Sequence, residues 1–193
     1  MLKRSLAALS ALVARSLVEV RAAAGEPQKH EVFSLSEFLA EARDATSLDA
    51  SSRGCDFVVM PVDSALALQG DRDRLLAALM NLLQNAFKFT RPHTEVRLSA
   101  DATDERICIQ VTDHCGDLSV GTIDAMFTPC TQRSTDRSGL GLGLSIARRD
   151  VEANGGTLTA HNRPGTGCVL TMSLSRHELE RRALGARRLD TAA

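Results

Sequence analysis

The sequence predicts an α+β fold, a two-layer sandwich in which one sheet is covered on one face by helices, preceded by a long N-terminal helix. Three observations carry this. Residues 71–90 place Leu75, Leu76, Leu79, Leu82, Leu83, Ala86 and Phe87 at spacings of three and four, which is the apolar face of a helix. Residues 95–100 and 107–112 alternate with a period of two on either side of a turn at 101–105, which reads as an antiparallel hairpin. Strands and helices then succeed one another with hairpins rather than in regular β-α-β units. At 193 residues the chain suits one full-sized domain with an appendage.

The elements follow in order. Residues 2–24 read as one long helix with a heptad-like seam of Leu2, Leu6, Leu9, Val13 and Val20, ended by Gly25-Glu26-Pro27. The seam admits two readings, packing on partner helices or lying on its own domain. Residues 30–33 read as a short strand. Ser34-Leu-Ser-Glu37 is a capping box that opens a short helix from Leu35 to about Ala45, with a polar loop over 48–54. Two strands follow at 57–60 and 64–68. Gly70-Asp71 turns the chain and caps the long helix, and Pro92 lies just past its end. After the hairpin, residues 119–138 form a connection long enough to read as a lid. A helix at 144–153 stops at Asn154-Gly-Gly156. Strands at 157–161 and 168–174 pair as a hairpin, and 176–188 reads as a basic exposed helix with Ser175 as its N-cap. The domain division is therefore 1–26, 27–175 and 176–193.

Composition narrows the function. The net charge of −1 gives no bulk attraction to nucleic acid or anionic lipid. Trp and Tyr are absent, so no base-stacking platform for single strands is available. The five cysteines are odd in number and lack Cys-x-x-Cys or zinc spacing, which predicts reduced thiols in a cytoplasmic setting. No run of 18 apolar residues occurs. The basic and apolar start of the chain superficially copies a secretory signal, but Arg15, Glu19 and Arg21 interrupt it.

Three features bear chemistry. Asn81, Asn85 and Lys88 fall within about 60° of one another on the helix, opposite the leucines. They read either as solvated surface or as oxygen ligands and a point charge facing an anion and its metal. Gly139-x-Gly141-x-Gly143 ahead of a helix reads as an anion site or as a hinge. Its spacing is neither the Rossmann fingerprint nor a P-loop. Asp113, at a strand end, is either a turn residue or an acceptor for a ligand amine.

Taken together, these motifs resemble sensor histidine kinases. Asn81-x-x-x-Asn85-Ala-x-Lys88-Phe89-Thr90 looks like their N box, and Asp113 like the carboxylate of their first glycine box. Phe127 and the following lid look like the F box, and Gly139-Leu-Gly-Leu-Gly-Leu-Ser-Ile146 like the second glycine box. Val151-Glu-Ala-Asn-Gly-Gly156 and Pro164-Gly-Thr-Gly167 also resemble the family, and the likeness covers about residues 31–175.

The resemblance implies the ATP-binding Bergerat (GHKL) sandwich and transfer of the ATP γ-phosphoryl group to a histidine. It implies ATP and Mg²⁺ as cofactors, with Asn85 on the metal, Asn81 beside it and Lys88 on phosphate oxygens. Asp113 would accept from the adenine amino group. Gly116 would belong to the base loop. The run Gly139, Leu140, Gly141, Leu142, Gly143 and Leu144 would shape the lid hinge and offer backbone N–H groups to phosphates. Thr171 would reach adenine through water. Asn81 stands where hydrolysing relatives such as gyrase-type ATPases carry a Glu as general base. An amide cannot take a proton from water, which favours transfer over hydrolysis. Residues 2–24 resemble the second helix of the dimerisation and phosphotransfer hairpin. No His precedes His30, so the acceptor histidine is expected outside this segment. The implied partners are a second copy through residues 2–24 and a response regulator receiver domain, with no nucleic acid and no membrane contact in this segment.

The sequence departs from the family in its first glycine box. The family reads Asp-x-Gly-x-Gly, while this chain has Asp113-His114-Cys115-Gly116-Asp117. Cys115 adds a side chain where backbone would pass close to nucleotide, and Asp117 adds negative charge near a polyphosphate. This predicts weakened ATP affinity or a shifted lid, and the alternative function is a degenerate module acting through dimerisation or docking. Cys130 replaces the second Phe of the F box.

Overall fold

The computed structural model describes residues 29–116, 126–128 and 142–179. In chain order the elements are β1 (Glu31–Ser34), α1 (Leu35–Arg53), β2 (Asp56–Val59), β3 (Leu66–Gly70), α2 (Arg72–Phe89), β4 (Glu95–Ala102), β5 (Arg106–Thr112), α3 (Gly143–Ala153), β6 (Thr157–Arg163) and β7 (Gly167–Glu178). The strands form one seven-stranded sheet in the order β1-β3-β7-β5-β4-β2, with β6 also on β7. All pairings are antiparallel except β2 with β4. This is the expected α+β sandwich. The expected N-terminal helix lies outside the described residues.

The strand register explains the layering. Ile107, Ile109 and Val111 of β5 stand opposite Leu174, Met172 and Leu170 of β7, and all six are buried. They face Leu75, Leu79, Leu82, Leu83, Ala86 and Phe87 of α2, which share the apolar stripe read from the sequence. Phe87 meets Phe57 of β2 edge-on, with ring centroids 5.1 Å apart. At the other end of the sheet, Leu35, Phe38, Leu39 and Ala42 bury the inner face of α1. A close Arg72–Glu41 pair ties α1 to α2, and Arg72 also lies over the Phe33 ring.

Two sequence readings are corrected. The helix expected to end near Ala45 continues to Arg53 and closes at Gly54 in the left-handed conformation. The small polar residues read as a loop are helical, and their hydroxyls bond back to helix carbonyls. Thr46 Oγ1 donates to Ala42 O at 2.7 Å and Ser51 Oγ to Ser47 O at 2.9 Å. Burial of Thr46 and Ala50 against the core holds that last stretch in place. At the other terminus, the helix expected from Arg176 does not begin there. Arg176, His177 and Glu178 belong to β7 and pair with Leu68, Ala67 and Leu66 of β3. The domain boundary expected at 175 thus falls inside a strand, because β3 has no other partner on that side. Residues 180–188 lie outside the described residues.

Candidate functional site

Asp113 continues the inward-facing series Ile107, Ile109, Val111 one step beyond β5, so its side chain enters the helix side of the sheet, 3% exposed. A carboxylate there must be satisfied. Its Oδ1 accepts from Cys115 N at 3.0 Å and from Cys168 N at 3.1 Å, while Asp113 N donates to Cys168 O at 3.0 Å. The loop is also fastened to the end of α2. His114 N donates to Thr90 Oγ1 at 3.1 Å, Arg91 N to His114 O at 3.3 Å, and His114 Nδ1 to Glu95 O at 2.7 Å. Asp113 is thus held between β5, the start of β7 and the C-terminal end of α2.

Gly167 lets these parts meet. A β-carbon there would lie 2.1 Å from Asp113 O and 2.8 Å from the His114 Cα. In the base loop itself, the left-handed conformation falls on Gly116, with φ +89°, and not on Cys115. Cys115 is half-buried. Its Sγ donates to Gly116 O at 3.6 Å. Burial first, then the neighbouring Asp113 carboxylate, push its thiol pKa up to about 12.

Along α2, Asn81, Asn85 and Lys88 are each half-buried on one face. Lys88 Nζ also lies 5.4 Å from the Phe89 ring centroid. The other wall is α3. Asn154, just past its end, accepts from Asp71 N through Oδ1 at 2.7 Å and donates from Nδ2 to Asp150 O at 2.7 Å. The C-terminal end of α3 is thereby tied to the N-cap of α2, and the two helices pack along one another. Eleven helical residues span about 16 Å. Leu142 at the α3 N-cap provides no side-chain acceptor, and the first turn carries no acidic residue. A helix N-terminus carries partial positive charge. Leu144 is buried beneath it, and Gly143 and Leu142 form its half-exposed rim. Phe127 packs against the core, with the Arg148 guanidinium of α3 5.5 Å from its ring centroid.

The fold thus fastens the loop carrying Asp113 and Gly116 to the C-terminal end of α2, the helix that carries Asn81, Asn85 and Lys88. Gly139, Leu140, Gly141, Asp117 and Cys130 lie outside the described residues. Thr171 is not brought to the site. It stands between Gln110 of β5 and Thr159 of β6, on the sheet face away from Asp113. Cys168, three residues earlier and so on the opposite face, occupies the position beside Asp113. Sequence reasoning placed Thr90 and Gly167 in motifs but gave them, and Cys168, no role at the site. Counting strand parity back from the buried Leu170 and Met172 would have found Cys168.

Among the described residues, no cluster of three or more His, Cys, Asp or Glu could hold a metal unaided. Amide oxygens such as those of Asn81 and Asn85 fit a different arrangement, in which a hard cation takes oxygen ligands and phosphate together.

A buried carboxylate and an amide-bearing helix on this sandwich are accompanied by a family match. The model for histidine kinase-, DNA gyrase B- and HSP90-like ATPases covers residues 70–178, and the chain belongs to that family. More narrowly, the chain is similar to sensor kinases. It is 35% identical over 185 residues to the sensor protein KdpD of Mycobacterium tuberculosis, covering 92% of this chain and 21% of that protein. It is 33% identical over 128 residues to the sensor histidine kinase ZraS of Escherichia coli K12, covering 66% and 27%. The fold matches the nucleotide-free catalytic domain of histidine kinase ThkA with a TM-score of 0.69 at 23% identity, over 76% of this chain and 95% of that one. The chain spans only about a fifth to a quarter of the length of these two sensor proteins. Among the described residues no helix is long and apolar enough to cross a membrane.

Proposed function

We propose that this chain is the nucleotide-binding, phosphoryl-transferring end of a sensor histidine kinase that works with Mg-ATP. The observation that carries the reading is Asp113. It is a buried carboxylate with one oxygen fixed by two amides, set where a base would enter between sheet and helices. In this reading its second oxygen accepts from the adenine amino group. Asn85, with Asn81 beside it, supplies amide oxygen to Mg²⁺, and Lys88 meets phosphate oxygens. Held there, Mg²⁺ would supply positive charge to neutralise that developing on the phosphates. The first-turn N–H groups of α3 receive phosphate oxygens. Phosphoryl transfer asks mainly for such positioning and charge neutralisation. With an amide at 81, no carboxylate on that turn of α2 takes a proton from water, which favours transfer to a histidine. The left-handed Gly116 supports a working base loop over a degenerate one. The phosphoacceptor lies outside this segment. The partners are a second copy through residues 2–24 and the receiver domain of a response regulator, on the cytoplasmic side.

Titration with a non-hydrolysable ATP analogue and Mg²⁺ tests this. The wild type should saturate, and Asn85→Ala should bind at least about tenfold more weakly, the loss of roughly one charge-assisted contact. No saturable binding by the wild type overturns the reading.

A further inference from the structure

His114, the residue after Asp113, clasps the base loop to the turn between α2 and β4. Thr94 Oγ1 has one hydrogen and gives it to Arg91 O at 2.6 Å. Thr90 Oγ1 therefore donates to Thr94 Oγ1 at 2.8 Å and keeps a lone pair for the His114 amide at 3.1 Å. Arg91 N returns a bond to His114 O at 3.3 Å. The imidazole reaches further, to Glu95 O at the start of β4, 2.7 Å from Nδ1. A carbonyl oxygen only accepts, so Nδ1 carries the proton. We propose that His114 is a positioning residue for base recognition. Its Nδ1–H bond to Glu95 O holds the Asp113 carboxylate where it discriminates an amino-bearing purine from an oxo-bearing one. The inference rests on the nucleotide reading above.

Asp113 is fixed toward the sheet through Oδ1, by Cys115 N and Cys168 N, and through its own amide to Cys168 O. The His114 contacts tie the same loop to α2 and β4. α2 carries Asn81, Asn85 and Lys88 ahead of its Thr90 cap. The backbone bonds to Thr90 and Arg91 do not depend on the side chain at 114, whereas the bond to Glu95 O does. Alanine there keeps the former and loses the latter. Asparagine sets its Nδ2 donor near the place of Nδ1. A carboxylate accepts from an amine and is left facing another acceptor when the purine carries an oxo group. That selectivity depends on placement, so His114 acts through Asp113.

The test compares His114→Ala and His114→Asn with the wild type, in the full chain. The ligands are the Mg²⁺ complexes of a non-hydrolysable ATP analogue and of its inosine counterpart, which has oxygen in place of the amine. The wild type should prefer the adenine compound by at least about tenfold. His114→Ala should bind the adenine compound about fivefold more weakly and the inosine compound within about twofold of wild type, so the preference collapses. His114→Asn should restore the preference to within about twofold of wild type. A merely loosened fold would weaken both compounds equally. An unchanged preference in His114→Ala, an equal loss of both compounds, or no rescue by His114→Asn overturns the inference and leaves the nucleotide reading standing. A wild type that binds both compounds alike does the same. Absence of saturable binding of either compound by the wild type overturns both. A second arm needs neither nucleotide nor variant. Nitrogen-15 NMR of the imidazole in mildly alkaline solution should show the Nδ1–H tautomer at His114. An Nε2–H tautomer removes the bond to Glu95 O, and the inference falls on that ground alone.

Discussion

Replacing Gly167 with alanine should damage both stability and nucleotide binding. The added β-carbon would stand 2.1 Å from Asp113 O. Carbon and oxygen ordinarily keep about 3.3 Å or more, so the strands must part by roughly 1.2 Å. The groups at that point cannot move freely. Asp113 N–Cys168 O and Cys168 N–Asp113 Oδ1 flank the contact at 3.0 and 3.1 Å. Moving either by an ångström lengthens it beyond useful hydrogen-bond range. Two weakened bonds, one of them leaving a buried carboxylate short of a donor, cost about 3 kcal/mol together. In a chain of this size that corresponds to a fall in melting temperature of about 6–12 °C. The assay is thermal unfolding followed by circular dichroism, with Gly165→Ala as control. Gly165 also has a positive φ, +75°, but nothing lies within 4 Å of its added carbon. The control should lose only about 1–2 kcal/mol, the strain of the left-handed conformation. If Gly167→Ala melts within 2 °C of the wild type, the close junction of β5 and β7 is not as described, and the argument that it holds Asp113 fails.

Phe87→Ala removes a fully buried ring that contacts Phe57, and should cost about 3–5 kcal/mol in denaturant unfolding. Asn154→Ala deprives Asp71 N and Asp150 O of their partner, and should cost about 1–3 kcal/mol while weakening nucleotide binding through displacement of α3. Alkaline stability follows from Cys115. Its thiol keeps its proton to about 12 in the folded chain, whereas the unfolded chain releases it near the ordinary value of 9.0. The folded state therefore binds the extra proton in that window, and its stabilising contribution, constant below pH 9, is lost as pH rises toward 12. Melting temperatures at pH 8 and 10.5 should differ less for Cys115→Ala than for the wild type.

Much of the layered fold was legible from periodicity. The apolar stripe of α2 and the β4–β5 hairpin are long, regular patterns, and Asp71 caps α2 as its sequence position required. Boundaries set by tertiary partners were not legible. Nothing local marks Arg176–Glu178 as strand; only the open edge of β3, more than a hundred residues earlier in the chain, makes it one. The serine-rich end of α1 favours turns by composition and stays helical because Thr46 and Ala50 find a core to enter. At the site, the α2 face and Asp113 could be read as motifs, whereas Thr171 was misplaced because the side a strand residue faces depends on register. That the left-handed conformation falls on Gly116 and not on Cys115 could not be seen from residue types, since it resides in backbone angles.

The long last strand has a consequence for how the molecule comes into being. β7 joins β3 on one side to β5 on the other, and Leu66 waits for Glu178. A nascent chain leaving the ribosome therefore holds two separate half-sheets, β1 with β3 and β2 with β4 and β5, until nearly all the domain has been made. Contacts of such long sequence separation form late and slowly. Asp113 meanwhile lacks the Cys168 amide that fixes it. Nucleotide can report only on finished protein, and a stop codon anywhere ahead of Glu178 would leave exposed strand edges that invite aggregation.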